Sequence, residues 1–187
     1  IFDQNNTPHF VQYCYNADLG DSYRKNIYLE NKSYCVHDLY LTDEVETEGE
    51  FLPYVKENKA CIYINCGDYK NVWESLKTGL AELSGVGVPI KEHFDNWQEE
   101  LEFAQKAVSG NDEESASGIH AFYNKDIFAA VYITNLLMRA SDLLVTKPSE
   151  LAFYPIPKLF IKRIGGHEMW GAIHSAELGD GSQECES

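Results

Sequence analysis

The sequence predicts an α/β protein with a mainly parallel sheet and helices on both of its faces. Two observations lead to this prediction: short apolar strands alternate with amphipathic helices from residue 60 onward, and glycines or polar turns separate them. Such alternation is typical of parallel strands joined by helical crossovers. We therefore expect one domain over residues 60–187, preceded by an extension or cap of uncertain fold over residues 1–59.

The first unit of this domain is a strand, a turn and a helix. The strand over residues 60–66 is apolar, and the helix after it opens at Asn71 with Glu74 in the spacing of a capping box. A second helix opens at Asn96. Helical spacing predicts that it turns four side chains inward, namely Trp97, Leu101, Ala104 and Val108.

The remaining elements repeat the pattern. A strand over 119–123 leads to an apolar helix over 127–140, which we expect to be buried. Strands are predicted over 142–146 and 157–164, and the helix over 167–178 ends at Gly179, a typical glycine after a helix. A further strand is predicted over 33–41, in the N-terminal segment.

Charge and apolar pattern exclude two classes of partner. The chain has 30 acidic and 15 basic residues, a formal net charge of -15, and no stripe of Lys and Arg. Nucleic acid is therefore not an expected partner. Polar residues interrupt the longest apolar run, 127–140, which is also too short to cross a bilayer, so no membrane-spanning segment is predicted.

The cysteines and the start of the chain bear on its location. Five cysteines are scattered without C-x-x-C spacing, which predicts neither a disulfide framework nor a zinc knuckle and favours the cytoplasm. The chain opens with Ile1, and its first residues lack the charged and apolar regions of a signal peptide. A fragment or a processed product is consistent with this start.

Three loops that follow predicted strands form the candidate site, because ligands of parallel sheets bind beyond the carboxyl ends of the strands. A helix N-terminus preceded by glycines, as at Gly165 and Gly166, suits a diphosphate. The lysine and serine of the 147–150 turn can bind the same phosphates, and its glutamate can bind sugar hydroxyls. The nine candidate ligand-binding residues are Gly67, Asp68, Lys147, Ser149, Glu150, Gly165, Gly166, His167 and Glu168.

Each of these loops also has an interpretation without a ligand. The glycines permit a tight strand-to-helix turn, Pro148 stiffens a solvated turn, and His167 and Glu168 are ordinary residues at a helix start. His167 and His174 share a helix face, but no third ligand accompanies them, so no metal site is predicted. Without a nucleophile motif such as G-x-S-x-G, no catalytic residue is assigned.

Residues 127–181 combine an apolar helix ending in Ala140-Ser141-Asp142, an apolar strand, the 147–150 turn, a strand led by Pro157, the polar loop over 165–168 and a terminal glycine. This pattern resembles the C-terminal half of GT-B glycosyltransferases, of which the lipid II-forming N-acetylglucosaminyltransferases and the galactolipid synthases are the nearest types. The run Cys66-Gly67-Asp68 is similar to that family's first strand and glycine loop.

The resemblance implies a Rossmann-like domain that binds a nucleoside-diphosphate sugar, with UDP favoured, through the nine residues above, without a separate cofactor. It also implies that a second Rossmann-like domain, which would carry the acceptor pocket, is missing from this chain. An active chain would be a GT-B-type transferase that moves the sugar to an unknown acceptor.

One departure from the family pattern supports a rival hypothesis, in which the chain binds a ligand without catalysis. Too few residues separate the 147–150 turn from Pro157 for the helix that these families place there, whose acidic residue usually binds the ribose. The rival is a non-catalytic nucleotide-sugar or sugar-phosphate binding module, with a regulatory role as one option. A plain interaction domain would instead expose an apolar surface patch.

Overall fold

The computed structural model of the chain describes residues 25–30, 52–85, 87–110, 117–146, 148, 154–160 and 166–182. In chain order these residues form β1 (Lys25–Glu30), α1 (Leu52–Lys56), β2 (Ala60–Asn65), α2 (Lys70–Gly85), β3 (Ile90–Phe94), α3 (Trp97–Ser109), β4 (Gly118–Tyr123), α4 (Ile127–Arg139), β5 (Leu143–Thr146), β6 (Lys158–Phe160), a 3₁₀ turn (Gly166–Glu168) and α5 (Met169–Leu178).

The strands in these ranges form one sheet of order β3-β4-β2-β1-β5-β6, and every neighbouring pair is parallel. Because β1 lies between β2 and β5, the chain winds first toward one side of β1 and then, from β5 onward, toward the other. Helices pack on both faces of the sheet. The predicted Rossmann-like sheet is therefore confirmed.

The central strand β1 comes from the segment over 1–59 that the sequence predicts to be an extension or cap. It pairs with β2 from Lys25↔Ala60 to Glu30↔Asn65, and with β5 from Ile27↔Leu143 to Leu29↔Val145. The sheet thus extends across the predicted boundary at residue 60. The strand predicted over 33–41 lies outside the described residues.

Alternate residues of the strands face two separate helical layers. In β2, Ile62 and Ile64 belong to the core that includes α1 and α2, whereas Cys61 and Tyr63 belong to the core that includes α3 and α4. Side chains of a strand alternate between the faces of its sheet. Since both faces are covered, all residues of β2 are buried, which explains its continuous apolar sequence.

Two predicted helix starts differ in detail from the structure. Helix α2 begins at Lys70, so Asn71 lies inside the helix and the predicted capping box is wrong. Helix α3 begins directly after Asn96, as predicted. The Asn96 side chain does not cap the helix, however; its amide donates to Glu99 at 3.0 Å.

The predicted inner face of α3 is wrong at both ends. Trp97 and Val108 are exposed, although helical spacing placed them inward. Packing of Phe103 against His93 and Phe122, with ring centroids 4.6 and 5.6 Å apart, sets the rotation of the helix. The side chains that α3 buries are Glu100, Phe103, Ala104 and Ala107.

Helix α4 was expected to be buried, and this is correct for only one of its faces. Ile133 and Leu137 are fully buried against the sheet, whereas Ile127, Phe128, Val131 and Tyr132 are exposed. A helix in an outer layer covers the sheet with one stripe only, so an apolar sequence on the opposite stripe meets solvent. Among the helices described, none is long and apolar enough to cross a membrane.

The edge strand β6 is held by the chain that follows α5. Lys158 is fully buried, and its Nζ lies 2.9 Å from Asp180 Oδ2 and donates to the Ile156 carbonyl at 2.9 Å. The Ser182 hydroxyl oxygen accepts a hydrogen bond from the Phe160 amide at 2.9 Å. A buried ammonium needs such partners, so these contacts fix β6 and the end of α5 relative to each other.

A buried histidine pair lies between β3 and β4. His120 Nε2 is 2.9 Å from the Ser117 carbonyl oxygen, so this nitrogen donates and His120 Nδ1 is left as an acceptor. His93 Nε2, 3.4 Å away, is then the donor to that Nδ1. Burial, followed by the charges of His120 and Lys91, lowers the pKa of His93 to about 3. His93 is therefore neutral in the folded protein.

Replacing His93 with leucine should weaken the acid sensitivity of the fold. The unfolded chain protonates His93 near its ordinary pKa of about 6.5, so the stability present above that pH is lost as the pH falls toward the folded pKa of about 3. Urea unfolding near pH 7 and near pH 4 measures this loss. The loss should be smaller in His93→Leu than in the wild type by about 1–3 kcal/mol.

The variant Met138→Leu, which changes a buried side chain of the same core without removing a titratable group, is the matched control and should lose as much stability on acidification as the wild type. If His93→Leu and the wild type lost the same stability on acidification, His93 would not be the buried neutral group described.

Candidate functional site

The carboxyl ends of all the described strands lie at one edge of the sheet, because the strands are parallel. This edge carries the loops in which the sequence predicts ligand-binding residues. Five of the nine lie in the described chain: Gly67, Asp68, Gly166, His167 and Glu168. The other four, Lys147, Ser149, Glu150 and Gly165, lie outside it.

The loop after β2 is a tight turn that glycine allows. Gly67 has a φ of 60°, a conformation that other residues seldom adopt. Its N–H donates to Asn65 Oδ1 at 2.9 Å, and its carbonyl oxygen accepts from the Asn124 backbone N–H at 3.0 Å. Asp68 is exposed at the tip of the turn. Both backbone groups of Gly67 are thus used within the fold, and its neighbour Asp68 faces solvent.

Cys66 precedes this turn and is an unreactive thiol. Its side chain is fully buried. Burial raises the pKa of the Cys66 thiol to about 12. Only the thiolate is a strong nucleophile, so Cys66 acts as a small apolar core residue.

The start of α5 provides an open helix N-terminus at the same edge. A Cβ built on Gly166 would meet no heavy atom within 4 Å, so there is free space beside this backbone. Glu168, the residue that opens α5, makes no side-chain capping bond to the helix, and its own side chain is buried. By contrast, Asp126 caps α4 by accepting from the Phe128 amide at 3.0 Å. Glu168 thus does not cap the first N–H groups of α5 in the way that Asp126 caps α4.

A buried carboxyl group joins the loops after β3 and β4. Glu100 is fully buried; its Oε2 accepts from the Asn124 side-chain amide at 2.5 Å, and its Oε1 accepts from the Asn96 backbone at 3.2 Å. Because the Asn124 backbone also bonds the Gly67 carbonyl, Glu100 links three successive loops of the carboxyl edge. Glu100 is not among the predicted inner residues of α3 although it has the right helical spacing, because a glutamate is normally expected to face solvent.

Burial raises the pKa of Glu100 to about 7, and the nearby Asp95 and Glu99 carboxylates act in the same direction, while hydrogen bonds from Asn124 and Asn96 oppose them. A carboxyl group with such a pKa exchanges its proton near neutral pH. Within the described ranges, no three His, Cys, Asp or Glu side chains are grouped as a metal site.

The profile of a family described as a domain of unknown function, DUF6938, matches residues 46–187. The chain belongs to the DUF6938 family. No curated protein and no solved structure gave a significant match.

The DUF6938 match contains most of the candidate edge that the structure describes. It includes the strands β2 to β6 and the helices α1 to α5, whereas β1 precedes it. Gly67, Glu100, Asn124 and Gly166 therefore all belong to the DUF6938 domain.

The substitution Glu100→Gln should change the pH dependence of stability. In the wild type, the folded pKa of Glu100 is about 7, above an unfolded value of about 4.3. At a pH between these two pKa values the folded state therefore binds more protons than the unfolded state. The free energy of unfolding falls as the pH rises through this range. The glutamine variant lacks this loss. Relative to the wild type, its stability should rise between about pH 4.3 and pH 7, by up to about 1.4 kcal/mol per pH unit.

Thermal or urea unfolding at several pH values provides the measurement. Glu102→Gln, which neutralises an exposed carboxylate elsewhere on α3, is the matched control. Parallel stability curves for Glu100→Gln and the wild type would show that Glu100 keeps the same charge in the folded and unfolded states.

Proposed function

We propose that this chain is the donor-binding half of a GT-B-like glycosyltransferase and that it binds a nucleoside-diphosphate sugar, with UDP as the nucleotide. The observation that carries the proposal is the reversal of winding between β1 and β5. In open parallel sheets, ligands bind in the crevice beyond the carboxyl ends at such a reversal. The resemblance of residues 127–181 to the GT-B donor half independently points to the same crevice.

The diphosphate is proposed to bind at the start of α5. Three features support this position: free space beside Gly166, the absence of a side-chain cap from Glu168, and the positive end of the helix dipole. Gly165 and Gly166 would let the backbone approach the phosphates. Lys147 and His167 would add donors to the phosphate oxygens, and each such charged hydrogen bond contributes about 1.5–3 kcal/mol.

The sugar and ribose hydroxyls are assigned to the remaining candidates. Ser149 and Glu150 follow β5 in the sequence, and Glu168 lies directly before α5. Gly67 and Asp68 follow β2, which is separated from β5 by β1. Two strand spacings amount to about 10 Å, so we assign this loop to the outer part of the donor and not to the phosphates.

In this proposal the chain stabilises the departing diphosphate. Negative charge that develops on the phosphates meets the N–H groups of α5 and the side chains of Lys147 and His167. The acceptor hydroxyl needs a general base, which we assign to a second Rossmann-like domain. The isolated chain should therefore bind the donor without transferring its sugar.

A second candidate function is a binding module of the same fold without catalysis. Residues 147–157 connect β5 to β6, and the described part of this connection, Pro148 and residues 154–157, is not helical. A ribose-binding helix of the usual kind needs more room. A connection this short favours a module that retains nucleotide-sugar or sugar-phosphate binding for regulation.

Isothermal titration calorimetry with UDP, a UDP-sugar and the free sugar tests the proposed site. We expect UDP and the UDP-sugar to bind more tightly than the sugar, since the diphosphate makes the charged contacts. Lys147→Ala and His167→Ala should each weaken UDP binding by about 1–3 kcal/mol. Lys106→Ala, in the last turn of α3 and thus near the opposite edge of the sheet, is the matched control.

Three outcomes would contradict parts of the proposal. Absence of binding by any nucleoside diphosphate would refute the donor site. Unchanged affinity in both variants would show that Lys147 and His167 belong only to a turn and a helix start. Robust sugar transfer by the isolated chain would refute the claim that it is half of an enzyme.

A further inference from the structure

A contiguous apolar surface lies where α3 and α4 begin, and we name it the aromatic patch. Phe128 is 82% exposed, Val131 52%, Tyr132 49%, Ile127 46% and Trp97 38%. The four α4 residues share one face at helical spacing. The Trp97 and Tyr132 rings are in edge-on contact, with centroids 5.5 Å apart, so the patch continues from α4 onto α3.

The patch is not part of the core and not part of the proposed donor crevice. It lies on the outer side of α4, whose opposite side buries Ile133 and Leu137. Single exposed apolar residues are common, but a contiguous aromatic and aliphatic group at this exposure is typical of an interaction site. The inference below therefore stands independently of the nucleotide proposal.

Acidic groups border the patch. Asp126 is the exposed cap residue directly before Ile127. Exposed Asp95 and Glu99 lie within two residues of Trp97, while Lys125 is the exposed basic residue nearest along the chain. With a formal charge of -15 on the whole chain, the field around the patch favours a cationic partner.

Charge disfavours two other occupants. A second copy of the chain would bring these carboxylates, and two strongly acidic proteins, against each other. An anionic membrane surface would be repelled as well. Helices that lie in membrane interfaces usually carry Lys and Arg along the polar face, whereas the basic residue of α4 is Arg139 in its last turn.

We propose that the aromatic patch docks an amphipathic helix of a partner protein that presents Leu- or Phe-type side chains on one face and Lys or Arg beside them. The Trp97 and Tyr132 rings would form one wall for the apolar side chains, and Phe128 and Val131 would form the floor. Asp126, Asp95 and Glu99 would receive the flanking cations. Large, exposed aromatic residues are frequent anchors of such interfaces.

A synthetic probe tests this proposal on the whole chain. The probe is a fluorescently labelled Leu/Lys peptide of about 18 residues with its leucines on one helical face. Two comparison peptides are a scrambled version of the same composition and a Leu/Glu peptide with the same leucine spacing. Fluorescence anisotropy should show binding of the amphipathic Leu/Lys peptide and at least about tenfold weaker binding of both comparison peptides.

Substitutions in the aromatic patch test whether the Leu/Lys peptide binds there. Phe128→Ser and Val131→Ser alter exposed side chains, so they should keep the wild-type melting temperature while weakening peptide binding at least about tenfold. Trp170→Ser, at a 68% exposed aromatic residue on α5, is the matched control and should bind as the wild type does.

Equal binding of the scrambled peptide, or unchanged affinity in Phe128→Ser and Val131→Ser, would overturn the proposal, because charge alone would then explain the interaction. Two further measurements test the competing occupants of the patch, which are a second copy of the chain and an anionic membrane surface. Sedimentation showing a dimer that Phe128→Ser converts to a monomer would assign the patch to a second copy. Cosedimentation with vesicles of anionic lipid that Phe128→Ser abolishes would assign it to a membrane surface.

Discussion

The pairing of β1 between β2 and β5 is the constraint on which the rest of this structure depends. The strand on each side of β1 is parallel to it, so the carboxyl ends of β2, β4, β5 and β6 all meet at one edge. The reversal of winding at β1 creates the crevice in which we place the nucleotide. Without β1, the two halves of the sheet would share no ladder of hydrogen bonds.

Buried polar groups at specific positions accompany this arrangement. Glu100 links three loops of the carboxyl edge, Lys158 ties β6 to the end of α5, and the His93–His120 pair joins β3 to β4. Each such group costs free energy to bury and repays it only through its partners. Loops held by such contacts keep their geometry, which a binding edge requires.

The regular elements from β2 to α5 were largely predictable because their apolar periodicity and turn residues agree.

The buried and exposed faces of α3 and α4 could not be predicted from the sequence. In α4, apolar residues surround the whole helix, so periodicity cannot tell Ile133, which is buried, from Phe128, which is exposed. In α3, the buried carboxyl of Glu100 occupies the inner stripe in place of Trp97, and sequence patterns treat a glutamate as exposed. β1 and β3 contain charged residues, so their sequences did not indicate strands. The predicted ligand residues stay predictions, since a site depends on contacts between distant loops.

Hydrogen–deuterium exchange with and without UDP tests the central claim most directly, because it reports where the nucleotide protects the backbone. The account predicts slower exchange in peptides that cover the end of β5 with residues 147–150 and the start of α5 around Gly166. Peptides from the aromatic patch on α3 and α4 should be unaffected and serve as an internal control. Protection confined to α3 and α4, or absent at saturating UDP, would contradict the placement of a donor site at the β1/β5 crevice.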